Sequence, residues 1–279
     1  MKMKTIIVAT DFSAAAFNAA NYAVDLAHAI EAQVLLFHTY LYPIPFGEFV
    51  VVYDPANVQN EAESSMRLFE EKLRISKQGK SPVSSEIKIG NFFDELKNLC
   101  ELVDPYAVIM GSQGSTASAR FFFGGHTVNT MKDRQWPVIT VPPDAKFASI
   151  KNIGIACDLH DIVKTVPVDQ IKLLLKDFDA RLHIINTGPE DVYDPAVVFQ
   201  AGLLQDMLEK IKPEYHFISD SDANRGIMEY AEKNKIDLLI IIPRNHGLLE
   251  RITFKSHTKQ MVLHCPVPVM ALHNELQNC

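Results

Sequence analysis

The feature that most constrains this chain is an internal repeat. Lys4–Asp11 (KTIIVATD) recurs as Lys151–Asp158 (KNIGIACD) at a shift of 147, and Ala32–Thr39 (AQVLLFHT) recurs as Ala180–Thr187 (ARLHIINT) at a shift of 148. Near the far end, His126-Thr127 and Pro137-Val138 recur as His257-Thr258 and Pro268-Val269, both at a shift of 131. A repeat of this length is a whole folding unit and not a solenoid module. The drop from 148 to 131 places seventeen extra residues in the first copy, between its second and third strands. They fall around 41–57, where Pro43, Pro45, Gly47 and Pro55 exclude one regular element. That segment reads as a lid, a partner surface or a packed surface loop. The expected units are residues 1–144 and 150–273, joined by a linker near 143–150.

Within the first copy, short apolar runs alternate with helical patterns. Lys4–Ala9 and Val34–His38 read as buried strands, with Thr39 opening a loop. Ser84–Ile89, Ala107–Met110 and Val138–Val141 complete a set of five. Ser13 is placed to cap a helix reaching about Ile30; further helices are expected over Val58–Lys77, Asp94–Val103 and from His126. The order β-α-β-α-β-α-β-α-β predicts an α/β fold, here two five-stranded, parallel, doubly wound units. Related by a pseudo-twofold, they would bring Val138–Val141 and Val267–Leu272 together as edge strands.

Composition narrows the function. The formal net charge of -7 leaves no basic excess for a phosphate backbone, so no nucleic-acid partner is expected. No apolar run reaches the length of a membrane span or a signal core. The four cysteines form no CxxC pair, which points to a reduced, cytoplasmic setting. No metal site is expected, because no HExxH or Cys/His set occurs, and His38 and His183 read as satisfied core histidines.

The chemistry concentrates in Asp104–Pro142. A buried strand runs into Gly111 and Gly114, and Gly124-Gly125 stand before the helix expected from His126. Loop amides and a helix N-terminus facing one point form a cradle for an anion. As turn residues alone, the same glycines need no ligand.

VATDFS at 8–13, LLFHT at 35–39, Gly111-x2-Gly114-x9-Gly124 and Trp136-Pro137-Val138 together resemble the universal stress protein (UspA-like) family, and the resemblance covers both copies. It implies a Rossmann-like fold of the adenine nucleotide alpha hydrolase type. It also implies an ATP site, with AMP or ADP as smaller occupants and Mg as a counterion. Carried over residue by residue, Ala9, Asp11 and Thr39 would lie near adenine and ribose. Met110 would form a wall, Gly111, Gln113 and Gly114 the ribose and phosphate path, and Gly124, Gly125, His126 and Thr127 the phosphate contacts. Gly125 stands where the family pattern has a hydroxyl residue, and His126 where it has an apolar one. In the second copy, Ile242, Asn245 and Lys255 replace all three glycines, so no ATP site of this kind is expected there.

The resemblance leaves three functions open. One is a stress-response module regulated by adenine nucleotide through the first copy, with a protein partner. The second is a protein-interaction module that binds no nucleotide; the third is a slow ATP hydrolase. No Walker motif, nucleophile elbow or kinase signature marks a dedicated catalyst. An intramolecular pseudo-dimer, with or without further homodimerisation, is the expected assembly.

Overall fold

The computed structural model describes residues 3–42, 55–112, 136–187, 195–243 and 261–274. The first copy runs β1 (Lys4–Ala9), α1 (Ala14–Ala29), β2 (Ala32–Tyr40), α2 (Pro55–Lys77), β3 (Val83–Ile89), α3 (Phe92–Val103), β4 (Ala107–Gly111) and β5 (Val138–Val141). The second runs β6 (Asn152–Ala156), α4 (Ile162–Thr165), α5 (Val168–Phe178), β7 (Arg181–Thr187), α6 (Pro195–Leu208), β8 (Glu214–Ile218), α7 (Ala223–Lys233), β9 (Leu238–Ile241) and β10 (Val269–Ala271). The helix expected from His126 lies outside the described residues, as does most of 41–57.

All ten strands form one sheet, in the order β3-β2-β1-β4-β5-β10-β9-β6-β7-β8. Every pairing is parallel except that of β5 with β10, where Thr140 stands opposite Val269 and Ile139 opposite Met270. The strands expected to meet across the copies therefore do so, and each closes an edge that the other would leave open. Thr140 adds a hydroxyl bond to the Val269 carbonyl at 3.3 Å. The central strands are apolar on both faces, as parallel strands covered on both sides must be.

One apolar core lies on each face of the sheet, and both run through the seam. On one face Ile6, Val8 and Val141 join Ile153, Met270 and Leu272 beneath α1, α2, α5 and α6. On the other, Ile7, Met110 and Val138 join Leu239, Val269 and Ala271 beneath α3 and α7. An ion pair also crosses between copies, from Lys4 Nζ to Asp177 at 2.8 Å.

Local chemistry explains the element ends. Ser13 Oγ accepts the Ala16 amide at 3.1 Å and starts α1, while Asn91 accepts the Phe93 amide and starts α3. Asp25 binds both Lys77 and Lys80, which ties the end of α2 to α1. Thr39 does not open a loop. It continues β2 opposite Lys88, because β3 runs on alongside to Ile89. In the second copy the first helix is split into α4 and α5, since Pro167 supplies no amide and leaves Val166 extended.

Candidate functional site

In an open parallel sheet, the crevice for a ligand lies at the carboxyl ends of the strands where the order reverses. In the first copy that point falls between β1 and β4, with β2 on the far side of β1. Val8 is in register with Ile109, so Ala9 and Met110 end neighbouring strands side by side. Both are buried, and both belong to the core on the α3 face. Ala9 is in register with Phe37, which carries Asp11 and Thr39 to the same end of the sheet. Asp11 and Thr39 are half-buried, and Gly111 is buried. Five of the expected residues, Ala9, Asp11, Thr39, Met110 and Gly111, thus converge on the switch point. Gln113, Gly114, Gly124, Gly125, His126 and Thr127 lie outside the described residues.

Gly111 has a reason to be glycine that needs no ligand. A Cβ there would lie 3.0 Å from the carbonyl carbon and oxygen of Ala15 and 3.2 Å from its Cβ. The end of β4 is pressed against the first turn of α1, which brings that helix N-terminus over the crevice. Close approach, and not a positive φ, is the constraint.

The turn after β1 positions Asp11. Its Oδ1 accepts the Ser13 amide at 3.0 Å, and Thr10 Oγ1 accepts the Phe12 amide at 2.9 Å. Phe12 is driven to φ 62, and its ring sits 4.3 Å from that of His38 and 5.9 Å from that of Phe69. His38 closes the turn, with Nδ1 donating to the Thr10 carbonyl at 2.8 Å. Burial pushes the His38 pKa below its ordinary value, against the opposing pull of that carbonyl and of Asp11.

The second copy repeats this turn with different side chains. Asp158 Oδ1 accepts the His160 amide at 3.1 Å, Cys157 Sγ takes the Leu159 amide at 3.4 Å, and Leu159 adopts φ 53. Asn186, at the place of His38, donates to the Cys157 carbonyl at 3.0 Å. Sequence reasoning missed Phe12, His38 and their counterparts as shapers of the site. Both copies carry a bulky residue after the strand-end Asp, and that shared position was the available signal.

The second crevice is open. A cavity of about 300 Å³ is lined by Ala156, Asp158, Thr165, Thr187, Asn224 and Ile242, among others. Ile242 occupies the place of Gly111, so a branched side chain lines this cavity where α1 packs against glycine in the first copy.

Elsewhere in the second copy, the expectation of a satisfied His183 does not hold. Its ring is buried, yet among the described residues Nε2 has no hydrogen-bond partner. Nδ1 faces His216 Nε2 at 3.2 Å, because β7 and β8 run side by side.

Two doubly wound α/β units, sharing one sheet and each with a strand-order reversal beside its first strand, define a tandem protein of the Rossmann-like class. Residues 2–142 and 149–273 each match the universal stress protein family, and the chain belongs to that family. A universal stress protein from Archaeoglobus fulgidus DSM 4304 is similar over 97% of both chains, at 16% identity and a TM-score of 0.70. A functionally unknown protein from Pseudomonas aeruginosa PAO1 covers 99% of this chain and 95% of its own at 12% identity, with a TM-score of 0.58. The cytoplasmic domain of a prokaryotic cation chloride cotransporter covers 99% and 97% at 11% identity, with a TM-score of 0.53. At these identities the likeness establishes the fold. No curated protein sequence matches the chain. Among the described residues, no helix is long and apolar enough to cross a membrane.

Proposed function

We propose that the first copy binds an adenine nucleotide, with ATP as the full ligand, and that occupancy regulates a surface used by a protein partner in a stress response. The observation that carries this reading is the convergence of Ala9, Asp11, Met110 and Gly111 at the strand-order reversal, beneath the N-terminus of α1. Ala9 and Met110 supply apolar walls for a base, and the half-buried Asp11 carboxylate suits ribose hydroxyls. The glycines beyond Gly111 would let a phosphate chain approach the backbone, with Gly124, Gly125, His126 and Thr127 at its far end and Mg balancing its charge. Ile242 in place of Gly111 argues for one such site per chain. The cytoplasm fits Cys100, Cys157 and Cys265, which are buried thiols, with burial pushing Cys265 up to about 11.

The test is direct. The purified protein is denatured and the supernatant examined for released nucleotide, and melting is followed with added Mg-ATP. A hundredfold excess over Kd stabilises a folded protein by about 2.7 kcal/mol. Gly114→Asp is expected to abolish the shift by setting a carboxylate against the phosphates, whereas Asn245→Asp leaves it unchanged. No released nucleotide and no shift at millimolar Mg-ATP would overturn the reading and leave the interaction module. Turnover by the wild type that is lost in Asp11→Ala would mark a hydrolase instead.

A further inference from the structure

We propose that His183, Glu214 and His216, on the outer two strands of the second copy, form a binding site for a divalent transition metal of the zinc type. The site is independent of the nucleotide crevice and of the function proposed for it.

The geometry begins with register. His183 on β7 stands beside Glu214 on β8, and Ile185 stands beside His216. Side chains alternate along a strand, so all three residues emerge on one face of the sheet. His183 Nδ1, His216 Nε2 and Glu214 Oε2 lie 3.2, 3.7 and 3.9 Å from one another. The point equidistant from these three atoms is about 2.1 Å from each, which is the length of a zinc–nitrogen or zinc–carboxylate bond. Ligand atoms around a four-coordinate zinc are themselves about 3.3–3.4 Å apart by the same bond lengths. The triangle needs to contract by only a few tenths of an ångström at Glu214.

The donor chemistry agrees with the geometry. Two imidazoles and one carboxylate suit zinc and its neighbours in the first transition row, and are a poor set for magnesium or calcium. A hydrogen bond across the 3.2 Å contact requires a proton on one of the two facing nitrogens. A metal takes the place of that proton and uses both lone pairs. Among the described residues no donor engages the buried Nε2 of His183, which would otherwise force the proton onto Nδ1.

The surroundings shape access. The His183 side chain is 9% exposed, that of His216 27% and that of Glu214 53%. The inner side is therefore closed, and the outer side is open to a water as fourth ligand. The Tyr230 ring from α7 packs 4.8 Å from that of His216 and holds its plane. Arg181 opposes a bound cation, but it is exposed and screened. Because β8 is the outermost strand on its side of the sheet, a metal here would pin that edge to β7.

The experiment uses the full chain, stripped with a chelator and titrated with zinc chloride near pH 7.5 against a competing indicator. The expected result is one zinc per chain, a rise of several degrees in Tm, and visible cobalt(II) absorption of a four-coordinate nitrogen–oxygen site on substitution. His216→Gln and Glu214→Gln, both at the open side and so compatible with folding, should each weaken zinc at least tenfold. His28→Gln, on α1, should leave it unchanged. Binding should weaken in acid, because protons compete with the metal for the ligand atoms. No zinc bound at roughly 100 µM, or zinc whose affinity survives both the His216 and Glu214 variants, would overturn the proposal.

Discussion

Replacing Gly111 by alanine places one methyl group where β4 meets the first turn of α1. The new Cβ would sit 3.0 Å from the Ala15 carbonyl carbon and oxygen. These are backbone atoms of a turn held by the Ser13 cap and by the Phe17 amide bond to the Ser13 carbonyl at 2.9 Å. They cannot swing aside as a flexible side chain would, so the strand end or the helix start must shift by a few tenths of an ångström. Overpacking of this kind costs about 1–3 kcal/mol. At about 2–4 °C per kcal/mol, the loss in Tm is a few degrees or more. Gly202, exposed on α6, supplies the comparison, because a Cβ there meets nothing within 4 Å among the described residues. Gly202→Ala gains about 0.5–1 kcal/mol from helix propensity alone. Thermal and urea unfolding of both variants, without added nucleotide, measures the packing role of Gly111 apart from any ligand. The reasoning fails if Gly111→Ala melts with the wild type, or if the two variants move in the same direction.

Acid should weaken the protein through His38. Its folded pKa is depressed below 6.5, so as pH falls past that value the unfolded chain takes up a proton that the folded chain refuses. This contribution to stability is complete above about pH 6.5 and is lost on acidification toward the folded pKa. His38→Asn should keep the neutral-pH stability to within about 1 kcal/mol, since Asn186 already makes the equivalent bond in the second copy, and should flatten the loss between pH 6.5 and 5. Denaturant midpoints across that range check it; an unchanged acid slope would count against His38 as a source. A fragment of residues 1–148 would leave β5 without its antiparallel partner. It is expected to self-associate through that edge, and sedimentation showing a monomer at about 100 µM would contradict the expectation.

Much of the fold was legible because buried parallel strands are short apolar runs with little else to be. The repeat then doubled every inference, and Pro137 and Pro268 marked the two strands that meet. What escaped was equivalence between unlike side chains. Thr10 and Cys157 take the same amide bond, and His38 and Asn186 grip the same carbonyl; the repeat aligns these positions, but the unlike letters do not announce a shared bond. The left-handed residues Phe12 and Leu159 were equally hidden, since neither is of a type that favours positive φ. Thr39 read as a loop because a polar strand end has no apolar periodicity, and its strand character comes from β3 alongside. His183 and His216 are 33 residues apart, so only the register of β7 with β8 brings them face to face. At the crevice, Ala9, Asp11 and Met110 came from the family resemblance, and the register of β1 with β2 and β4 brings them to one end of the sheet at the order reversal.

The antiparallel junction of β5 with β10 has a consequence for how the two copies can change. Were the same surfaces to join two separate identical chains, every substitution would appear on both sides of the axis at once, and each contact would have to suit its own mirror partner. Covalent linkage lifts that demand. Ile139 faces Met270 at the centre of the pairing, where a twofold between identical strands would set a residue against its own copy. Association no longer depends on concentration, because the partner is always tethered nearby. One half is therefore at liberty to lose its glycines, split its first helix and acquire histidines on its outer strands. The other half keeps its glycines on a frame that both continue to hold together.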